Sequence, residues 1–320
     1  MSAGDNRGSS ASSAALAGRR AGRELWRAVG LMVCSAAMFA SMAVMIRLAS
    51  SELHAFEIAF FRNLFGLAFA LPLLAHHGLG ILKTDKQHLY IGRCLIGIVS
   101  MLCGFYAIVH LPLAKAVTIS YSTPLFVTIL AVLFLGEVVR ARRWTAVALG
   151  FIGVLVIMRP GAEAFDGNTL VALTAAVLSA IVAISIKVLS RTEKPDAIVL
   201  WTTMLWVPMS LVPALFVWTG PSGWTWLWVA GAGFFGTAGH MFWTRALKRG
   251  DASLLTPISF MQVPFVALLA WWLFDETVTA WTAAGAAIIF AANAYIAHRE
   301  ARNASRAITD AEISPETQKR

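Results

Sequence analysis

Apolar residues occur in runs of about 20 that recur along the chain, and short polar segments separate these runs. An α-helix of that length can cross roughly 30 Å of hydrocarbon. Helices are favoured because a backbone in lipid must satisfy its own hydrogen bonds. The pattern predicts an all-α membrane protein with ten transmembrane helices. The predicted spans are 28–49, 55–75, 89–109, 113–135, 144–159, 169–190, 197–218, 224–247, 252–274 and 280–297.

Composition supports the same class of protein. Hydrophobic residues make up 58% of the 320 residues, charged residues make up only 13%, and the mean hydropathy is +0.70. Soluble globular chains carry about 25% charged residues. A chain with half that share cannot cover a water-facing surface, which excludes a soluble enzyme, a nucleic-acid-binding domain and a disordered protein. We therefore expect the lipid bilayer to surround the protein and nucleic acid not to be a partner.

No pattern in the sequence predicts a catalytic site, a metal or a cofactor. Cys34, Cys94 and Cys103 lie in apolar runs, and their odd number and irregular spacing argue against a disulfide framework or a zinc site. The stretch Gly231–Gly236 matches a dinucleotide-binding fingerprint, but it lies within a predicted span and not after a strand. We interpret its small residues as a surface for close helix packing.

Lys and Arg are unevenly distributed among the polar segments. With the N-terminus in the cytoplasm, 20 of the 26 basic residues fall in the tails and loops of that side, whereas the opposite loops hold only Lys115 and Arg159. Basic segments tend to stay in the cytoplasm. The distribution therefore predicts that both tails, 1–27 and 298–320, are cytoplasmic. The first of these tails is also expected to be disordered. The net charge of +9 is then a signal of topology and does not require an anionic partner.

The two halves of the chain resemble each other at a shift of about 140 residues. Met45–Ser50 parallels Ser185–Ser190, each with a cation at the third position. A proline followed by an apolar run and a closing glutamate occurs in both Pro124–Glu137 and Pro264–Glu276.

Each half, 28–160 and 169–297, contains five predicted spans. Because five is an odd number, the second half would enter the membrane with the opposite orientation. The prediction is therefore two inverted five-helix repeats, an architecture typical of secondary transporters with a site between the halves. The alternative is a duplicated structural bundle with no role in transport.

These features resemble the EamA branch of the drug/metabolite transporter superfamily. The resemblance extends over roughly 28–297 and depends on Pro124–Glu137, Pro264–Glu276 and Ala146–Gly161. It implies a carrier, not an enzyme, in the inner membrane of a bacterium, which moves a small organic molecule by alternating access. It also implies a central cavity built from the first, third, fourth, sixth, eighth and ninth spans.

Within that branch, Phe60–Asn63 and Ser259–Pro264 are similar to members assigned to the uptake of riboflavin or S-adenosylmethionine. Riboflavin is the leading substrate because the spans are rich in aromatic residues. S-adenosylmethionine comes second because a sulfonium cation among basic residues is electrostatically unfavourable. Export of amino acids or drugs is the third interpretation, and a membrane enzyme or a channel is a weaker alternative. The direction of transport, its energy coupling and the formation of a homodimer are left open.

Three cations lie within predicted spans at positions of interest. Arg47 and Lys187 occupy equivalent positions in the two halves, and Arg62 lies deeper in the second span. A charge inside a membrane is costly and usually faces a cavity or a partner. We predict that these residues border the substrate path. The alternatives are that Arg47 and Lys187 extend to the lipid headgroups, and that Arg62 has a structural contact with another helix.

Polar and aromatic residues complete the predicted substrate site. Tyr121, Ser122 and Gln262 precede prolines, and a proline frees a backbone carbonyl that a cavity or a neighbour must satisfy. Tyr106 and Trp243 are aromatic at equivalent positions of the two halves and could stack on a flat ring. The alternative is a packing kink for the first group and contact with lipid or the core for the second.

Overall fold

The computed structural model describes residues 5–77, 84, 86–135, 141–158, 166–189, 193, 195–247, 255 and 258–295. These residues form α-helices, and no strand occurs among them. The helices are α1 Asp5–Ala49, α2 Ala55–His77, α3 Gln87–His110, α4 Leu113–Ser120, α5 Thr123–Leu135, α6 Ala141–Met158, α7 Gly167–Leu189, α8 Pro195–Leu215, α9 Thr225–Leu247, α10 Gln262–Phe274 and α11 Ala280–Tyr295.

Every predicted span coincides with helical residues of the described chain, and most ends agree within three residues. The main difference is at the N-terminus, where α1 begins at Asp5 and continues through the segment predicted to be disordered. Alanine and arginine are frequent there, and both residues favour helix even without tertiary contacts. The predicted tail 298–320 lies outside the described residues. Among the described residues, four stretches are long and apolar enough by themselves to cross a membrane. They are Trp26–Ala49, Gln87–His110, Leu113–Phe134 and Gly167–Ile186.

A turn interrupts the fourth predicted span, so that α4 ends at Ser120 and α5 begins at Thr123. Pro124 is the cause, because proline has no N–H to continue a helix but fits the first turn of a new one. The hydroxyl groups of Ser122 and Thr123 donate to the carbonyl oxygens of Ile119 and Ser120, both at 2.7 Å. Local hydroxyl groups therefore satisfy carbonyls at the break.

The ninth predicted span has the same design. Phe260 and Met261 form a turn, α10 starts at Gln262, and Pro264 lies in its first turn. Residues 252–254, 256 and 257 of this span lie outside the described chain. Broken helices in corresponding positions of two halves are a feature by which transporters place irregular backbone beside a binding site.

Helix ends gather at two opposite faces of the bundle. At one face, Glu57 accepts hydrogen bonds from the backbone and hydroxyl groups of Thr219, both at 2.9 Å, and Arg47 pairs with Glu276. We call this face the Glu276 end. At the other face, Glu193 accepts a hydrogen bond from Thr84 at 3.1 Å. Among the described connections, those between α1 and α2, α8 and α9, and α10 and α11 lie at the Glu276 end, and residues 84 and 193 lie at the other face.

Close helix packing holds the bundle together. The stretch Gly231–Gly236 lies within α9, which packs on α1 and α2. A Cβ atom added at Gly233 would lie 3.0 Å from the backbone nitrogen of Gly66 and 3.1 Å from the carbonyl oxygen of Arg62. Only glycine allows the two backbones to approach this closely. The structure confirms that the glycine-rich stretch packs helices together and does not form a nucleotide-binding loop.

Candidate functional site

A cavity of about 310 Å³ lies between the two halves of the chain, and we call it the central chamber. Helices α1, α3, α4, α7, α8 and α10 contribute to its wall. The described lining includes Trp206 of the seventh predicted span and no residue of the eighth, so it differs by one helix from the set implied by the family resemblance. The side chains that matter for chemistry are Met42, Ser100, Met101, Ser120, Ser179, Trp206 and Gln262.

The chamber offers polar groups but no charge. Among the described residues that line it, none is acidic or basic. The hydroxyl groups of Ser100 and Ser179 lie 2.8 Å apart, across the contact between α3 and α7. The indole of Trp206 donates to the carbonyl oxygen of Cys94 at 3.3 Å, and a Cβ atom at Gly97 would lie 3.0 Å from the ring. Gly97 therefore makes room for an indole that is fixed in place.

Arg47 lies above this chamber, one turn of α1 beyond Ala43 in its wall. Its guanidinium donates to the carbonyl oxygens of Ile108 at 2.8 Å, Val109, and Leu111 at 3.3 Å. It also pairs with Glu276 at 2.7 Å, and the two side chains are only 22% and 18% exposed. Protein groups, and not lipid headgroups, therefore engage the predicted cation.

Glu276 binds a second element with its other carboxylate oxygen, which accepts the backbone N–H of Leu113 at 2.8 Å. Arg47 and Glu276 thus fix the corner between α3 and α4. We call residues 108–114, together with Arg47 and Glu276, the partition. One side of the partition faces the central chamber.

The other side of the partition faces a second cavity of about 380 Å³ at the Glu276 end, which we call the vestibule. Unlike the chamber, the vestibule has ionisable side chains in its wall. Its described lining comprises His110, Leu111, Pro112, Ala114, Lys115, Ile157, Asp166, Ala270, Glu276, Thr277, Val278, Thr279, Trp281 and Thr282. The partition is the barrier between these two spaces.

Arg62 lies behind the wall of the chamber and does not line it. Its guanidinium donates to the side chain of Asn63 at 3.0 Å and faces the sulfur of Met42, a lining residue, at 4.0 Å. Its Nε atom is buried without a hydrogen-bond partner, and no carboxylate of the described residues forms an ion pair with it. This cation has therefore no compensating charge among the described residues.

The predicted polar residues near the prolines divide into two groups. Tyr121 donates to Gln262 at 3.1 Å and to the carbonyl oxygen of Ser259 at 2.5 Å, so it links the two halves behind the chamber wall. Gln262 itself lines the chamber. Ser122 is buried and does not belong to the described lining of the chamber. Its hydroxyl donates to the carbonyl oxygen of Ile119 at the helix break described above.

The two predicted aromatic residues lie apart from the chamber lining. The ring of Tyr106 stacks on His110 with centroids 3.8 Å apart, at the end of α3. Trp243 is 42% exposed on α9. Lys187 belongs to α7, but its side chain lies outside the described part of the structure. The roles assigned to these residues stay predictions.

Of the seven lining side chains named above, only Gln262 was predicted. The six that were missed are Met42, Ser100, Met101, Ser120, Ser179 and Trp206. A signal for Ser100 was present, because Gly97, Ser100 and Gly104 place small residues on one face of α3 at helical spacing. A face of small residues inside a membrane indicates either close packing or a cavity. Nothing in a single sequence distinguishes those two outcomes.

Comparison with known proteins identifies the class. The model of the EamA-like transporter family matches twice, at residues 26–159 and 168–297. The chain therefore belongs to the EamA-like transporter family, which confirms the family predicted from the sequence and the presence of a repeated unit. It is a multi-pass membrane transporter of a small metabolite and not an enzyme.

Curated relatives cover most of the chain. The S-adenosylmethionine uptake transporter of Rickettsia felis is 31% identical over 263 residues, which are 82% of this chain and 90% of that protein. The riboflavin transporter of Brucella anthropi is 30% identical over 76% of this chain and 88% of its own. The pseudopaline exporter CntI of Pseudomonas aeruginosa is 28% identical over 82% of this chain and 93% of its own.

A solved crystal structure has a similar fold. It covers 86% of this chain and 98% of its own length, with a TM-score of 0.62 and 20% sequence identity. At that identity the likeness concerns the fold alone.

Proposed function

We propose that the protein takes S-adenosylmethionine into the cell by alternating access, with the central chamber as its substrate site. The observation that carries the proposal is the lining of the chamber. It combines an indole, two thioethers, paired hydroxyl groups and an amide, and its described residues include no basic side chain. A sulfonium cation would therefore meet no positive charge there.

The chemistry of the lining suits both parts of this substrate. A cation over an indole face gains about 0.5–2 kcal/mol, more when water is excluded. Trp206 is available for this contact, and the thioether of Met42 is polarisable. Ser100, Ser179 and Gln262 offer hydrogen bonds to the edge of an adenine or to ribose hydroxyl groups. Relatives named as S-adenosylmethionine transporters align with 80–83% of the chain.

Riboflavin uptake is the second candidate. A chamber without charge also suits this neutral, flat molecule, and riboflavin transporters are among the relatives. S-adenosylmethionine therefore ranks above riboflavin, which is the reverse of the order expected from the sequence. The sequence favoured riboflavin because of the family resemblance and the aromatic-rich spans, but the two aromatic residues predicted to stack on it, Tyr106 and Trp243, do not belong to the described lining. It disfavoured a cation because of the basic residues in the spans. Of these, Arg47 is paired with Glu276, Arg62 lies behind the chamber wall, and the side chain of Lys187 lies outside the described part of the structure.

Alternating access requires that the chamber open to one side of the membrane at a time. We propose that the halves are inverted repeats and that the Glu276 end faces the outside, as the distribution of basic residues predicts. The partition then closes the outer path, and separation of Arg47 from Glu276 opens it. Arg62 has no compensating charge among the described residues. We propose that it approaches the substrate carboxylate in another state of the transport cycle.

Counterflow in proteoliposomes tests this function, because it requires binding and translocation but no driving gradient. Vesicles loaded with unlabelled S-adenosylmethionine are expected to accumulate the labelled compound, and external riboflavin should compete weakly or not at all. Counterflow of riboflavin without that of S-adenosylmethionine would establish the second candidate. Absence of counterflow with both compounds would overturn the substrate assignment and leave export of another metabolite, the third interpretation, to be examined.

A further inference from the structure

The vestibule has a chemical character that the proposed transport cycle does not yet use. It lies at the Glu276 end, on the far side of the partition from the chamber. Its wall brings together Lys115 from α4, Asp166 from the residue before α7, and Trp281 and Thr282 from α11. Both signs of charge therefore face one cavity of about 380 Å³.

Lys115 is the positively charged side of this cavity. Its side chain is half-buried in the wall, within the first turn of α4. Within the described part of the chain, no carboxylate lies within 4.0 Å of its amine. The ammonium group is thus partly removed from water, and although the charge of Asp166 acts on it, no described carboxylate is in direct contact with it, which leaves room for an anion.

Asp166 is the negatively charged side. Its carboxylate oxygens accept the backbone N–H of Asn168 at 3.0 Å and the side-chain amide of Asn168 at 2.9 Å. The backbone hydrogen bond, the amide of Asn168 and the charge of Lys115 lower the pKa of Asp166 from its ordinary value. The carboxylate is held in one position, is ionised at neutral pH, and keeps lone pairs for a further donor.

Glu276 does not compete for a ligand of this kind. One of its oxygens accepts from Arg47 and the other from the backbone of Leu113, so its charge is used within the partition. Among the described residues of this lining, Lys115 and Asp166 are therefore the pair of opposite charges left to meet a molecule from solution. A small molecule with an anionic group and a cationic group attached to the same carbon atom would bind both side chains.

We propose that the vestibule is a second, peripheral binding site for the α-amino-acid group of the substrate. Lys115 binds the carboxylate, and Asp166 binds the ammonium group. This inference rests on the proposed function, since S-adenosylmethionine carries such a group and riboflavin does not. The indole of Trp281, 51% exposed, provides an apolar surface beside the two charges. The site concentrates substrate at the closed partition before the chamber opens.

Transport kinetics with two related substrates test the proposal in the full-length protein. S-adenosylmethionine carries the amino-acid group, whereas 5′-methylthioadenosine has the same nucleoside but lacks both that group and the positive charge on sulfur. Each variant is therefore compared with the wild type for the same substrate. For Lys115→Gln and Asp166→Asn, KM for S-adenosylmethionine should rise about tenfold, as expected for the loss of one charge-assisted hydrogen bond. The kcat for S-adenosylmethionine and the transport of 5′-methylthioadenosine should not change. Lys115→Arg, which keeps the charge, is the matched control and should stay near the wild type.

Equal changes for both substrates, or no change with Lys115→Gln, would overturn the peripheral site. Binding of L-methionine to the purified protein separates this result from a failure of the proposed function. If wild-type protein carries no S-adenosylmethionine but binds L-methionine in a manner that Lys115→Gln abolishes, the vestibule site stands and the transported substrate is wrong. If transport of S-adenosylmethionine is normal and L-methionine does not bind, the vestibule site is wrong and the function stands.

Discussion

The central chamber and the vestibule are similar in size, about 310 and 380 Å³, but opposite in electrostatic character. The described lining of the chamber has no charged residue, whereas the vestibule has acidic and basic side chains in its wall. Their positions explain the difference. A charge deep in a bundle within a membrane loses its hydration and costs several kcal/mol, whereas a charge beside a loop remains close to water.

A single structural element, the partition, separates these two environments. Its corner between α3 and α4 is held by carbonyl groups that bind Arg47 and by the backbone N–H that binds Glu276. Under the proposed function, the vestibule selects charge, the partition closes the chamber, and the chamber recognises the heterocycle. The predictions below separate these tasks from one another.

The largest effect is expected when the ion pair of the partition is broken. Removal of one partner of a buried pair costs about 3–5 kcal/mol because the other charge stays behind, and somewhat less here because about a fifth of each side chain is exposed. Arg47→Ala or Glu276→Ala should therefore shift the closed state strongly towards opening and reduce transport by more than about tenfold.

A single cysteine at Ala107, introduced after replacement of the three native cysteines, reports this opening. Ala107 is buried in the wall of the chamber. A membrane-impermeant thiol reagent added at the Glu276 end should label it rapidly in Arg47→Ala and slowly in the parent. Arg47→Lys keeps a charged donor beside Glu276 and the carbonyl groups, and it should label more slowly than Arg47→Ala. If labelling were equally slow in all variants, the ion pair would not close the chamber.

The next effect concerns the indole of the chamber. Trp206→Leu removes the aromatic face but keeps an apolar side chain, and KM for S-adenosylmethionine should rise about tenfold, since a desolvated cation–π contact is worth up to about 2 kcal/mol. Trp243→Leu removes an exposed indole that does not line the chamber and is the matched control. Counterflow measurements give both values. A larger effect at Trp243 than at Trp206 would place the substrate outside the chamber.

A smaller effect is expected from two glycines on the same face of α3. A methyl group at Gly97 would lie 3.0 Å from the ring of Trp206, whereas one at Gly104 would meet nothing within 4 Å. Gly97→Ala should therefore displace the indole and raise KM about threefold, which corresponds to a fraction of a kcal/mol. Gly104→Ala reduces the volume of the chamber without moving the ring. Similar kinetics for the two variants would show that the position of the indole is unimportant.

The smallest effect concerns the contact between halves behind the chamber. Tyr121→Phe removes a hydroxyl that donates to Gln262 and to the backbone of Ser259. A neutral hydrogen bond is worth about 0.5–1.5 kcal/mol, and the low end applies because this hydroxyl lies behind the chamber wall, so KM should rise about twofold with little loss of thermal stability. Ser120→Ala removes another hydroxyl of the chamber wall without crossing between the halves. If the two variants behaved alike, the link through Gln262 would have no special role.

The helices could be predicted from the sequence because the physical signal is local. A run of apolar residues long enough to cross the bilayer has few alternatives to a helix, and Pro124 marks the break between α4 and α5. The helix from Asp5 was missed because low hydropathy does not exclude helix where alanine is frequent.

The site could be predicted only in part because it depends on contacts between distant segments. Arg47 was identified by the cost of a charge in a membrane, but its partner, Glu276, lies 229 residues away, and no pattern in one sequence joins them. Tyr106 and Trp243 occupy equivalent positions in the two halves, but equivalence does not determine which face of a helix looks into a cavity. Ser100 and Ser179 carry no signal beyond their small size.

A structure of the protein determined with S-adenosylmethionine bound would test the central claim most directly. The account predicts the substrate within the central chamber, with its sulfonium near the indole of Trp206 and its nucleoside within hydrogen-bond distance of Gln262 or Ser100. Substrate bound outside this cavity, for example against Trp243 on the outer face of α9, with the chamber empty, would contradict it.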